Sequence, residues 1–249
     1  MPNWIVTGAD AAHFVNLRLL VASWWEQNRQ IPFVFCDYGL SREQRAEVAA
    51  WPVTVLPRPV AFEGKPAWRA KAGLYRYLQN ADLDWDVVVW IDADAMFLRP
   101  LPDLEKLTAG YDLLIDAHTQ SVGEIVEPAN LSTLLLEPAD AYFSSGFWVV
   151  RNPGLLATWD KLVDRVMNQG NLWENDAFVA AIYETRARIR TVCGNIWHVR
   201  GATSIDLVTQ EDNRLCYAGQ PAYVLHANWK YTLREDHRRV FVRPLLREV

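Results

Sequence analysis

The sequence predicts an α/β protein, a sheet wound by crossover helices, and three observations carry that expectation. Segments rich in β-branched and aromatic residues alternate with segments in which apolar residues recur at helical spacing. The run Val87-Val88-Val89-Trp90-Ile91 is continuously apolar, as a central strand covered on both faces must be. A length of 249 residues, 51% of them hydrophobic and 22% charged, suffices for a packed core and excludes a disordered or collagen-like chain. With no internal repeat, low-complexity tract or linker in view, one domain over residues 1–249 is expected.

The elements follow in order. Trp4 to Thr7 reads as a first strand, and Ala11 to Gln27 as a helix with Phe14, Leu17, Leu20, Val21 and Trp24 on one face. Phe33 to Cys36 is a second strand, closed by the turn-forming Asp37-Tyr38-Gly39. Ser41 then caps a helix through Ala50, and Gln44 completes a capping box. Val53 to Leu56 is a short third strand, followed by a Pro-rich connection and a helix from about Trp68 to Gln79. After the apolar run at 87–91, further strands are expected at Tyr111 to Ile115 and Phe147 to Val150. Helices are expected at Pro153 to Met167 and Asn175 to Glu184. Ile189 to Cys193 and Tyr223 to Leu225 read as strands, while Gly201 to Gln220 shows no regular pattern.

Thirty Asp and Glu against twenty-five Lys and Arg give a net charge of −5, and the longest basic run is Arg238-Arg239, which argues against a nucleic-acid surface. Cys36, Cys193 and Cys216 are odd in number and far apart, so neither a disulfide framework nor a metal knuckle is expected. That usage fits a reducing, cytoplasmic compartment. The amino terminus has no secretory pattern, and the apolar stretches are too short to span a bilayer, which leaves only peripheral membrane contact. The 12 tryptophans are expected mostly in the core, with a minority free to stack on sugar rings.

The sharpest feature is Asp92-Ala93-Asp94 directly after the apolar strand. A bare Asp-x-Asp triplet often caps a helix or sits in a solvated turn. Here two anions stand at the mouth of a core, which costs desolvation unless a cation is present. In an extended segment side chains at i and i+2 point the same way, so both carboxylates can face one ion at the carboxyl edge of the sheet. Hard oxygen ligands suit Mn²⁺ or Mg²⁺, and such an ion would bridge a diphosphate.

The order of these features resembles retaining glycosyltransferases of the GT-A fold. It comprises Val88 to Ile91 before Asp92-Ala93-Asp94, then Phe143-Ser144-Ser145-Gly146-Phe147 before a strand. Trp173-Glu174-Asn175-Asp176-Ala177 follows at a helix start, and Val224-Leu225-His226 near the end. The likeness is greatest to the family of glycogenin and the lipopolysaccharide galactosyltransferases, and extends to the Golgi-type α-mannosyl and α-galactosyl transferases. It implies a Rossmann-like, mixed and mostly parallel central sheet flanked by helices, with a nucleotide-binding half at about 1–100 and an acceptor-binding half at about 101–249.

By this resemblance Asp92, Asp94 and His226 would ligate the metal, Mn²⁺ or Mg²⁺. Without the acid pair His226 reads as a hydrogen-bonded core histidine. The family's diphosphate-holding Gly and Lys correspond loosely to Ala227-Asn228-Trp229-Lys230, where Lys230 is the candidate. Thr7, Gly8 and Asp10 match the segment that contacts base and ribose, although Asp10 equally suits an N-cap. Lys71 stands where relatives carry a phosphate-compensating arginine, against the alternative of a solvated helix lysine. Asp116 matches an acid that binds sugar hydroxyls, and Ser144 and Ser145 occupy positions where relatives show Asn-Ala or Asn-Ser. In the Glu174-Asn175-Asp176 triplet, Asn175 takes the place beside the anomeric carbon, with helix capping the alternative for Asn175 and Asp176. Trp173, Trp148 and His118 are candidates for an acceptor platform.

The implied reaction moves a hexosyl or pentosyl group from a nucleotide diphosphate sugar, UDP first and GDP second, to a hydroxyl acceptor, with retention. A sugar nucleotidyltransferase is disfavoured because residues 7–14 contain only Gly8 where a phosphate-cradling loop needs several glycines. The other rival is a carbohydrate-binding module with a structural ion and no turnover.

Overall fold

The computed structural model describes residues 2–166, 173–200, 208–211, 214–217 and 220–226. A seven-stranded sheet organises it, in the order β3-β2-β1-β4-β7-β6-β8. The strands are β1 (Asn3–Ala9), β2 (Phe33–Asp37), β3 (Thr54–Leu56), β4 (Val87–Ile91), β6 (Leu113–Ser121), β7 (Ala141–Val150) and β8 (Ile189–Val192). β1 pairs in parallel with β2 and β4, β2 with β3, and β6 with β8, whereas β7 runs antiparallel to both of its neighbours. The mixed, mostly parallel sheet expected for a GT-A fold is present.

Strand pleating divides the core in two. Val88 and Trp90 of β4, with Trp148 and Val150 of β7, face one apolar cluster, while Val87, Val89, Ile91, Phe147 and Val149 face the other. The first face is covered by α3 (Ala67–Ala72), α4 (Leu74–Asn80), α8 (Pro153–Val166) and α9 (Glu174–Glu184), and the second by α1 (Phe14–Asn28). Trp24, Trp90, Trp148 and Trp159 are fully buried, Trp4, Trp51, Trp85 and Trp197 pack partly buried against the two clusters, and Trp25, Trp68 and Trp173 are exposed. Burial removes Trp148 from the acceptor platform, because its ring stacks on Trp90 and Phe178 inside the core.

Several local expectations hold. Ser41 accepts from the Gln44 amide and Gln44 answers through its side chain, so the capping box opens α2 (Arg42–Val48). The remaining described strands and α-helices are β5 (Ala95–Phe97), α5 (Leu104–Thr108), α6 (Val122–Ile125), α7 (Pro128–Leu134), α10 (Gly194–Trp197), β9 (Val199–Arg200), β10 (Val208–Glu211), β11 (Arg214–Tyr217), β12 (Gln220–Pro221) and β13 (Val224–His226), with single 3-10 turns at Ala11–His13 and Val60–Phe62. β10 to β12 form a small antiparallel sheet inside the stretch expected to be irregular. Their pattern is too short for periodicity to reveal. A further three-stranded sheet, β5-β13-β9, crosses the carboxyl edge of the main one.

The helix expected from Trp68 to Gln79 is instead two helices, α3 and α4, meeting at Gly73. The buried Phe62 ring occupies the space beside Gly73, where an added Cβ would lie 2.0 Å from Phe62 Cζ. In an open helix Gly→Ala stabilises by about 1 kcal/mol. Here steric overlap wins: Gly73→Ala is expected to destabilise by about 1–3 kcal/mol in urea unfolding, and combination with Phe62→Leu should recover part of the loss.

Candidate functional site

The site forms where β4 leaves the sheet. Asp92-Ala93-Asp94 is not extended but a tight turn, closed by the Ala95 amide donating to the Asp92 carbonyl at 3.0 Å. The two carboxylates therefore converge for a different reason than strand periodicity. The turn feeds β5, which pairs antiparallel with β13 in a register that sets His226 opposite Ala95. β5 is anchored from below, because the Phe97 amide donates to Ser23 Oγ of α1 at 3.0 Å. One ligand atom each from Asp92, Asp94 and His226 lies within 4.8 Å of the others. Two carboxylates and an imidazole, half-buried at a sheet edge, are a donor set that fits Mn²⁺ or Mg²⁺.

Lys71 is buried, with 9% of its side chain exposed, which rules out the solvated alternative. Its Nζ lies 2.9 Å from Asp92 Oδ1, 3.0 Å from Ser145 Oγ and 3.3 Å from Glu174 Oε1. Burial opposes the ammonium's charge, but Asp92 and Glu174 outweigh it and hold its pKa above the ordinary 10.5. The indole N–H of Trp90 donates to Asp92 Oδ1 at 2.8 Å, so one oxygen of that carboxylate is held by two donors.

Asp94 Oδ1 lies 3.0 Å from His226 Nε2. Burial pushes the Asp94 carboxyl up, yet the His226 hydrogen bond and charge outweigh that effect and hold it below 3.8. Burial likewise opposes the His226 imidazolium, but Asp94 and then Asp92 raise its pKa above 6.5.

A cleft of about 220 Å³ opens beside these residues, lined among others by Gly8, Asp10, Tyr38, Lys71, Asp92, Asp94 and Glu174. Gly8 is required there: a Cβ would stand 2.1 Å from the ring of buried Tyr38. Asp10 both lines the cleft and caps the turn of helix before α1, accepting from the Ala12 and His13 amides. Thr7 is fully buried and turns away from the cleft. A larger cleft, about 770 Å³, lies on the outer face of α1, where Arg18 and Glu47 pair with each other. Its size is not matched by converging acids, so the chemistry assigns the smaller cleft.

Three residues read for the sugar end are held by the protein's own groups. Asn175 is tied at both ends to β7, its Oδ1 accepting from the Ser145 amide at 2.5 Å and its Nδ2 donating to the Phe143 carbonyl at 2.8 Å. Its neighbour Glu174 presents the carboxylate to the cleft instead. Asp176 is buried, accepts from Tyr142 Oη at 2.7 Å and from the Trp173 amide at 3.3 Å, and so closes the start of α9. Burial raises its pKa despite these bonds. Asp116 has no exposed surface, and its Oδ1 meets His198 Nδ1 at 3.1 Å. Trp173 is 75% exposed at the mouth of α9, and His118 packs edge-on against Tyr142. Lys230 lies outside the described residues. Glu174 was within the quoted triplet, but nothing in spacing distinguishes it from its neighbours; His198 and Tyr38 carried no sequence signal at all.

No family model matches the chain, and no curated protein matches it. Solved structures do. A galactosyltransferase, LgtC, in complex with donor and acceptor sugar analogues superposes with a TM-score of 0.64 at 15% identity, covering 98% of this chain and 94% of that one. An active-site mutant of LgtC gives 0.65 at 16% identity, covering 98% and 95%. The bifunctional glycosyltransferase WbbM gives 0.64 at 14% identity, with 98% of this chain spanning 49% of the larger protein. At these identities the likeness is one of fold, and the chain has the GT-A fold of these enzymes.

Two outcomes follow from the geometry. The Asp94–His226 pair stabilises the metal-free protein fully between the two ordinary values, 3.8 and 6.5. It is lost as pH falls through the depressed Asp94 value and as pH rises through the elevated His226 value. With chelator present, Asp94→Asn should therefore lower the unfolding midpoint more near pH 5 than near pH 9. Tyr142→Phe should leave Asp176 short of a partner and cost about 1–3 kcal/mol in denaturant unfolding.

Proposed function

We propose that the chain is a divalent-cation-dependent glycosyltransferase that moves a sugar from a nucleotide diphosphate sugar to a hydroxyl acceptor with retention. The observation that carries the reading is the meeting of Asp92, Asp94 and His226 within 4.8 Å at the carboxyl edge of a GT-A sheet. Those three residues would hold the ion, whose chemistry there is Lewis-acid neutralisation of a departing diphosphate.

The chain's own groups supply the rest. Gly8 and Asp10 bound the end of the cleft suited to the nucleoside, with Tyr38 closing its floor. Lys71 holds Asp92 and Glu174 in place and adds positive charge where phosphate charge grows. In the reaction the bond from the anomeric carbon to the diphosphate oxygen breaks as the acceptor oxygen bonds to the same face. The acceptor's proton passes to the leaving diphosphate oxygen. The transition state resembles an oxocarbenium ion, and Glu174, the carboxylate facing the cleft, stabilises its positive charge. Asn175 orders the β7 edge on which Ser145 sits. UDP-sugars are the first donors to test and GDP-sugars the second; exposed Trp173 offers an acceptor platform. Among the described residues no helix is long and apolar enough to cross a membrane.

Incubation of the purified chain with Mn²⁺ and a panel of nucleotide sugars should release nucleoside diphosphate from at least one donor. Asp94→Asn should abolish that release while its melting temperature near neutral pH stays within a few degrees of the parent. Saccharide binding with no turnover of any donor would instead identify a binding module, and collapse of the variant's fold would make the acid pair structural.

A further inference from the structure

His226 does not stand alone behind the acid pair. Its Nδ1 lies 2.6 Å from Nε2 of His198, and His198 Nδ1 lies 3.1 Å from Asp116 Oδ1. The far end of this chain is fully buried, with no exposed side-chain surface on either Asp116 or His198. The near end, His226 Nε2, faces Asp94 at 3.0 Å and Asp92 at 3.9 Å.

The fold builds this line deliberately. α10 ends at His198, whose amide donates to the Gly194 carbonyl at 2.8 Å, and the parallel pairing of β9 with β13 carries His198 alongside His226. The two rings lie 4.8 Å apart, tilted by 23°. Room for them comes from Gly146 on β7, where a Cβ would stand 2.6 Å from His226 Cε1 and 3.1 Å from His198 Cε1. Gly194 plays the same part for Asp116, whose Oδ2 would be 2.9 Å from a Cβ there. Two chain positions are thus kept free of side chains along the one line.

The polarity of the line follows from its ends. Asp116, as a carboxylate, has only acceptor atoms, so the proton between it and His198 sits on His198 Nδ1. A neutral His198 then offers a lone pair at Nε2, and His226 must donate to it from Nδ1. With Nδ1 committed to His198, Nε2 is the atom that faces Asp92 and Asp94: it donates to Asp94 in the metal-free protein and offers its lone pair to a cation that takes the place of that proton. Partners behind a metal-binding imidazole fix its tautomer and ring orientation, and their loss typically weakens metal binding about 10–100-fold.

We propose that Asp116 and His198 form a buried positioning relay that orients His226 and fixes its tautomer, so that Nε2 is presented to the cation held by Asp92 and Asp94. The relay rests on the reading of those three residues as metal ligands.

Two measurements test it on the whole chain. In the metal-free protein labelled with ¹⁵N-histidine, two-bond proton–nitrogen correlation spectra should show His198 protonated at Nδ1 and His226 protonated at Nδ1. A His198 protonated only at Nε2 overturns the relay, whatever the metal does. Second, Mn²⁺ binding without any substrate is followed by the paramagnetic resonance signal of the free ion. His198→Phe should weaken binding about 10–100-fold, and His198→Gln, whose side-chain oxygen can still accept from His226 Nδ1, should recover most of it. Equal affinity in parent and His198→Phe overturns the relay and leaves the metal reading standing. No Mn²⁺ binding by the parent overturns the metal reading, and the relay with it. Should His198→Phe fail to fold, His198→Gln and the tautomer spectrum decide alone: a large loss of affinity in a well-folded His198→Gln counts against the relay.

Discussion

Like charges gathered at one sheet edge are the constraint that the rest of the site obeys. Asp10, Asp92, Asp94 and Glu174 all border one cleft, and three of them converge around Lys71 and His226. Carboxylates at that spacing repel strongly in a partly dehydrated setting. A single buried ammonium offsets part of this, and although burial opposes its charge, Asp92 and Glu174 hold its pKa above the ordinary value. What remains is a pocket of net negative potential shaped by two carboxylates and an imidazole, the electrostatic condition under which a divalent cation is held.

That condition explains features that otherwise look unrelated. Lys71 sits on the short helix α3, which ends where the Phe62 ring meets Gly73, so the split between α3 and α4 helps to fix where the ammonium enters the site. Trp159 donates its indole N–H to the Glu174 carbonyl at 2.9 Å, tying the start of α9 to the core so that Glu174 reaches Lys71. Ser23 of α1 holds β5, and β5 in turn sets the register of β13 and His226. Packing on both faces of the sheet is therefore spent on the placement of a few charged atoms at its edge.

Much of this was legible along the chain. The α/β alternation, the buried Val87 to Ile91 strand and the capping box at Ser41 are local patterns, each set by neighbours within a few residues, and each is found. The acid pair, Lys71 and His226 also converge as expected, although the two acids do so through a turn rather than an extended strand. What was not legible depends on contacts distant in sequence. Phe62 against Gly73 breaks a helix that periodicity joins. Asp116, read from the sequence as closing a strand, lies within β6 and behind His198. Asn175 and Glu174 are adjacent on a helix start, and only the position of β7 decides that the amide is consumed by backbone while the carboxylate turns to the cleft.

By itself the sequence determined the class of fold, the strand that ends in two acids and the chemistry those acids favour, because apolar periodicity and residue type are properties of short segments. Tertiary structure alone decided how His226 reaches the acid pair and that His198 stands behind it. His226 is separated from Asp94 by 132 positions and from His198 by 28, and pairing between β5, β13 and β9 is what brings them into hydrogen-bonding reach. Distances of that kind arise from strand register and from the space left by Gly146, neither of which is written in any local stretch of residues.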